Sequence, residues 1–324
     1  RELTDIFDIQ DEIAEKVTHA LRLLLISKGE KTPIVSHKTN SLEAFDLYLK
    51  GKNHLDRRFN TAGAIECLQK AIDLDSSFGD AYNTLAFAHI YHLLISNFNP
   101  MEGYNTAQIL LNKASSVMGP NAESMSLRAV LDFYHRHDYA GGFEGFERAL
   151  ILDPLHAETY RMKAYMHQLV GERSEAIENA RRAVELDPLS INTKLSFWDI
   201  QCKMGVGMDA KIGYEDLKTM GVSEALLNEI LGQYYWAIGN LKEAAVCYSR
   251  VGEPPTNLNL QTVSQFVFQA KHGDRSIAEA QILRLKSKED STYLKPGYLA
   301  VILFYLGEFE SSKKYIANAE RDND

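Results

Sequence analysis

The sequence predicts an all-α fold: a right-handed α-solenoid of about eight helical hairpins, preceded by one extra helix at the N-terminus. Three columns of residues carry that prediction. Gly171, Gly205, Gly239, Gly273 and Gly307 stand 34 residues apart. Five residues after each comes a small side chain, Ala176, Ala210, Ala244, Ala278 and Ser312. Twelve residues after each comes Ala183, Leu217, Val251, Leu285 or Ala319, again small or apolar. Three columns in step over five units define a structural repeat.

Each column has a physical reason. A glycine just past the first helix of a hairpin can turn the chain through a left-handed conformation that other residues adopt only at a cost. The small residue lets the second helix lie close against the first, and the third column faces the next hairpin. Every hairpin then has one apolar side that it cannot bury alone, and stacking supplies the missing cover.

Along the chain, residues 1–26 come first. Ile6, Ile9, Ile13, Val17, Leu21 and Leu24 recur at three- and four-residue spacing, which predicts one amphipathic helix. Its stripe calls for a cover, either the first hairpin or a second copy in a short coiled coil. Residues 27–40 are polar, carry Gly29 and Pro33, and read as a linker. The solenoid is expected over 41–324, with first helices near 43–56, 79–92, 122–135, 157–169, 191–203, 225–237, 259–271 and 293–305. Helix ends are marked by A-x-x-L-D-P at Ala149–Pro154 and Ala183–Pro188, because proline beyond a helix end stops it. Ala71 to Ser76 is the same motif with Ser for Pro, and Ala114 to Pro120 is a degenerate copy. The second hairpin is longer by about nine residues, and Asn97, Asn99, Pro100 and Gly103 predict an inserted loop near 93–104.

Composition narrows the function. Of 324 residues, 45 % are apolar and evenly spread, which suits one continuous architecture. A net charge of −9 without a basic cluster speaks against nucleic-acid or anionic-membrane binding by this segment. The apolar runs are shorter than the roughly 20 residues of a membrane span. Cys67, Cys202 and Cys247 are an odd, dispersed set, expected as buried thiols in a reducing, cytoplasmic setting. The chain starts at Arg1 directly on a helical pattern, so it reads as part of a longer protein, and it ends on the closing helix of the last hairpin without a further polar helix, which predicts either further chain there or a partner that covers the end.

The 34-residue unit resembles the tetratricopeptide repeat. In the fourth hairpin, Tyr160, Ala164, Ala176, Ala180, Ala183 and Pro188 stand where that pattern has an aromatic, small residues and a closing proline. The fifth hairpin departs from it with Trp198 where a small residue is usual, and hairpins six to eight lack the closing proline. Three further blocks are more specific: Asp5 to Ala14, Thr39 to Gly51 and Tyr134 to Gly142. In this order they resemble the C-terminal repeat region of bacterial multidomain regulators whose N-terminal part is a class III nucleotidyl cyclase or a winged-helix domain. The resemblance implies a cytoplasmic sensory or interaction module coupled to an effector domain outside this chain.

No chemistry-bearing pattern competes with that reading. His135 and His137, or His89 with His92, lack a further ligand at metal-binding spacing. Gly205-Val206-Gly207 belongs to the repeat turn and has no following Lys-Ser/Thr. There is no G-x-S-x-G, and Asp73 with Asp75 belongs to the helix-end motif. A non-catalytic segment without cofactor or metal is expected.

Binding is expected on the concave face lined by the first helices. Stepping in units of 34 selects Arg161, Tyr165 and Gln168 in the fourth hairpin, Asp199 in the fifth, and Glu229, Gln233 and Trp236 in the sixth. The less regular half selects Tyr48 and Lys52 in the first hairpin and Asn83, Phe87 and Tyr91 in the second. Tyr, Trp and Arg are the types that anchor protein interfaces. Thr84 stands where a tetratricopeptide carboxylate clamp needs Asn, so a terminal EEVD-type tail is not the expected ligand. The expected partner is a protein or peptide, or the fused effector domain. The alternative is a homodimerising scaffold that positions two cyclase domains.

Overall fold

A computed structural model describes residues 39–58, 60–95, 100–205, 210–251, 260–287 and 296–322. These form sixteen α-helices and no strand, paired in chain order into hairpins. They are α1 Leu42–Arg58 with α2 Thr61–Leu74, α3 Gly79–Ile95 with α4 Pro100–Met118, α5 Ala122–His135 with α6 Tyr139–Leu152, and α7 Ala157–Leu169 with α8 Arg173–Leu186. The second half has α9 Ile191–Lys203 with α10 Ala210–Thr219, α11 Glu224–Ala237 with α12 Leu241–Ser249, α13 Leu260–His272 with α14 Arg275–Lys286, and α15 Pro296–Tyr305 with α16 Phe309–Asp322. The predicted helix at 1–26 and the linker up to residue 38 lie outside the described residues.

Local sequence sets the ends of these helices. Asn60, Asn121, Asp138, Ser190, Ser223, Asn240 and Asp274 each accept a backbone N–H of the first turn of the helix that follows. Gly171, Gly205, Gly239 and Gly307 have φ between +61° and +81°, the left-handed turn their column predicted. Gly273 departs from its column: its φ is not positive, and its N–H is shared between the carbonyls of Phe268 and Gln269. At the other end of the hairpin, Asp75, Asp153 and Asp187 close their helices by donating to Ala71, Ala149 and Ala183.

The expected loop near 93–104 is helical wherever it is described. α3 runs on to Ile95, and α4 starts at Pro100, where a missing N–H costs nothing because first-turn donors are unpaired anyway. Gly103 sits against Leu93, leaving no room for a Cβ. The extra residues therefore lengthen two helices that pack on each other.

Stacking buries the columns. Ala176, Ala210, Ala244, Ala278 and Ser312 are all buried, and Ala183, Leu217 and Leu285 with them. At every joint the first helix of one hairpin packs on the first helix of the next. Trp198, the departure from the repeat pattern, is accommodated by Gly213 on α10. A Cβ there would overlap the indole ring, while Trp198 Nε1 donates to the Ala210 carbonyl at 3.0 Å. A large residue on one helix is thus matched by none on its partner.

The stack also touches itself at long range. α1 meets α9, where Asn192 Nδ2 donates to Asp56 Oδ1 at 3.0 Å, joining the first and fifth hairpins. His137, in the turn after α5, lines a cleft together with α15 and α16 of the eighth. No helix among the described residues is long and apolar enough to cross a membrane. Cys202 and Cys247 are buried, Cys67 is half-buried, and all three are free thiols.

Candidate functional site

The first helices carry a ladder of polar contacts that runs from hairpin to hairpin. Asn83 donates to Asn121 Oδ1 at 3.2 Å and accepts from Ser124 Oγ at 2.7 Å. Ser126 and Thr159 share a hydrogen bond of 2.5 Å. Arg161 reaches Ser196, and the Tyr165 hydroxyl donates to Asp199 Oδ2, each at 3.4 Å. Gln233 donates to Ser264 at 3.0 Å, and Ser264 in turn to Glu229 at 3.4 Å. Each rung joins neighbouring hairpins, so the ladder satisfies polar groups that stacking would otherwise strand.

This placement sorts the twelve sequence-selected residues. Tyr48, Asn83, Asp199 and Glu229 are buried in or beside joints. Phe87, Tyr91, Arg161, Tyr165, Gln168, Gln233 and Trp236 are half-buried, and Lys52 is exposed. Stepping by 34 selects positions of like geometry, and in a stacked fold those positions face the next first helix as well as the groove. Trp236 shows the consequence. Its ring meets Phe268 and His272 of the seventh hairpin edge-on, at 5.7 and 5.9 Å. Phe87 stacks on Tyr91 at 5.9 Å, nearly parallel.

Five of the twelve, Lys52, Tyr91, Arg161, Tyr165 and Asp199, converge with residues that the pattern did not select. Arg161 is clamped by Glu158, with Nε donating to Oε2 at 2.7 Å, and its guanidinium lies 5.9 Å from the Tyr165 ring centroid. Burial alone would lower the Arg161 pKa, but Glu158 outweighs it and the group is held firmly protonated. Burial pushes the phenols of Tyr91 and Tyr165 up, with Arg161 opposing it and Asp199 adding to it in both. Across the groove, burial raises the Asp56 carboxyl against the pull of Lys52, while Glu158 adds to the rise. Asp56, Glu158 and Arg161 therefore share one electrostatic neighbourhood built from hairpins one and four, and Tyr91 and Asp199 extend it to two and five. Glu158 was findable as the acid three residues before Arg161 on one helix. Asp56 and Asn192 carried no local signal, because 136 residues separate them.

Below this cluster, Asp199 Oδ2 accepts from Lys203 at 2.8 Å, while Asp199 Oδ1 is buried with no hydrogen-bond partner. Glu229 lies beyond it. Desolvation raises its pKa to about 8, Lys203 opposes the rise and Asp199 adds to it.

Among the described residues no group of three or more His, Cys, Asp and Glu side chains could hold a metal. His92 bonds to Thr61 at 2.6 Å, and His135 packs on Tyr104 at 4.8 Å. Burial pushes the Cys202 thiol well up, away from a reactive thiolate.

No family model matches the chain, and no curated protein matches it. Solved structures do. A tetratricopeptide repeat protein from Parabacteroides merdae is 16% identical over 84% of this chain and 100% of its own, with a TM-score of 0.50. The human IFIT1 dimer with PPP-AAAA is 14% identical over 81% of this chain and 68% of its own, at 0.52. A monomeric IFIT1 variant with m7Gppp-AAAA is 15% identical over 97% and 75%, at 0.54. At these identities the likeness is one of fold: the chain is an all-α solenoid of the tetratricopeptide type.

Proposed function

We propose that this chain is a protein-interaction module that holds a partner protein or peptide against the inner face of its first helices. The observation that carries this reading is the cluster of Tyr91, Arg161 and Tyr165 beside Asp56 and Asp199, gathered from four hairpins. Half-buried tyrosines around a pre-oriented guanidinium make an anchor that loses little side-chain freedom on binding. The surrounding charges are mixed, which favours a partner that is itself mixed in charge over a polyanion. Although IFIT1 in a solved structure is held with PPP-AAAA, the net charge of −9 here disfavours a nucleic-acid partner. The resemblance of three sequence blocks to regulator repeat regions supports a place in a bacterial signalling or transcriptional regulator, with a fused effector domain as one source of the partner surface.

The test is selection from a random peptide library on the chain of residues 1–324, counter-selected on Tyr165→Ala with helicity checked by circular dichroism. Peptides binding the parent chain at least about tenfold more tightly are expected, since an interface anchor is worth roughly 2 kcal/mol. Selection that yields only peptides indifferent to this variant would refute the assignment of the inner face. Sedimentation of the chain alone examines the dimeric scaffold, which a monomer at high concentration rules out.

A further inference from the structure

The eighth hairpin bears an open seat for one more helix. Gly297, Val301 and Phe304 of α15 and Ile316 and Ala319 of α16 line a cleft of about 620 Å³, with His137 at its edge. Moved back by 34 residues, these positions become Val263, Val267, Ala270, Ile282 and Leu285 of the seventh hairpin. There they are packed in the apolar cluster that contains Leu299, Ile302, Leu303 and Leu306 of α15. Ile282 is 3 % exposed, and its counterpart Ile316 is 48 % exposed. The seat is thus a continuation of the joint between hairpins. What fits it is a helix with apolar residues spaced i, i+3, i+4 and i+7, as on α15.

We propose that the occupant is the chain's own N-terminal segment, residues 5–24. Ile6, Ile9, Ile13, Val17, Leu21 and Leu24 give it an apolar stripe at three- and four-residue spacing. Charge agrees with this choice. Lys218 and Lys286 stand 68 residues apart, in one column of the second helices, and each pairs with an acid of the following hairpin, Glu224 at 2.9 Å and Glu308 at 3.8 Å. In the eighth hairpin that column holds Glu320, which lines the cleft and calls for a base on the occupant. The segment supplies Lys16 and Arg22 in its second half, all five of its acids lying at or before Glu15. Reach agrees as well. Residues 25–38 span up to ~48 Å. The first hairpin lies two stacking steps, roughly 20 Å at first-helix spacing, from the third, whose His137 borders the seat.

Hydrogen exchange read by mass spectrometry on the chain of residues 1–324 tests this. Amides of residues 6–24 are expected to be protected, and Ile13→Asp, Phe304→Asp and Ile316→Asp should each reduce that protection by about tenfold or more while the solenoid keeps its helicity. Leu49→Asp, on the exposed side of α1, should leave it unchanged. Absence of protection, protection indifferent to the seat variants, or protection lost with Leu49→Asp would each overturn the proposal, the last by placing the segment on the first hairpin. Protection that rises with protein concentration alongside a sedimenting dimer would also overturn it. Should a seat variant unfold, Ile13→Cys combined with Val301→Cys gives an independent answer. An intramolecular disulfide in the oxidised monomer supports the docking, and its absence refutes it.

Discussion

Asn192, at the start of the fifth hairpin, donates its side-chain N–H to Asp56 near the end of the first helix, at 3.0 Å across 136 residues. This bond joins two hairpins that are far apart in the stack. Asp56 is half-buried, and desolvation holds its carboxyl above the ordinary range. Asp56→Asn keeps an acceptor oxygen and relieves the charge, so it should leave stability unchanged or slightly raised. Asp56→Ala strands the Asn192 amide and should cost about 1 kcal/mol. Urea titrations of both variants, with small-angle scattering to detect loosening, check the pair.

The glycine column makes a second prediction. At Gly171 and Gly239 φ is near +80° and nothing lies within 4 Å of where a Cβ would be, so substitution by Ala meets strain without a clash. Each should cost about 1 kcal/mol. Gly273 lies outside the left-handed region, and its nearest obstacle is the tip of the Gln269 side chain, which can swing aside at the loss of one exposed hydrogen bond, from the Asp274 N–H. Gly273→Ala should therefore cost clearly less than Gly171→Ala in the same denaturation assay. Equal costs would contradict the conformational account.

Gly213 and Trp198 make a third. Gly213→Ala drives a methyl into the indole and should destabilise by about 1–3 kcal/mol, the usual range for overpacking. Adding Trp198→Phe, which shortens the ring, should recover part of that loss. A double-mutant cycle reads the coupling, and additive losses would show that the two residues do not oppose each other.

Glu229 predicts a pH dependence. Desolvation raises its folded pKa to about 8, Lys203 opposes this and Asp199 reinforces it. In the unfolded chain a glutamate titrates near ~4.3. Between these two values the folded chain binds more protons than the unfolded one, so stability falls as pH rises. The favourable contribution is complete below ~4.3 and is gone above about 8. Glu229→Gln should remove this slope and exceed the parent chain in stability by about 1 kcal/mol or more at neutral pH. Urea midpoints from about pH 5 to about pH 8 would run parallel for the two proteins if Glu229 were already ionised.

Burial of Asn83, Asp199 and Glu229 also changes how the inner face can be probed. Charge reversal at Glu229 would break a joint before it touched a partner, whereas truncation of half-buried Tyr165 gives up one long bond, to Asp199 at 3.4 Å, and leaves the other rungs in place. The accessible members of the site are the ones that report on binding.

The sequence by itself determined the repeat, the first-helix boundaries from α5 to α9, and the buried column headed by Ala176. These follow from local rules: a cap, a left-handed glycine, and an apolar period that any helix must present to its neighbour. The same rules selected first helices for the proposed binding face. They could not say which of its residues are spent on the joints, because a 34-residue step encodes position within a hairpin and nothing of the angle between hairpins. That angle comes from summed packing along the stack, including the Trp198 and Gly213 exchange of volume and the lengthened second hairpin. Only the tertiary structure therefore decided that Asp56 meets Asn192, that Arg161 is clamped by Glu158 among tyrosines, and that the eighth hairpin keeps an open seat.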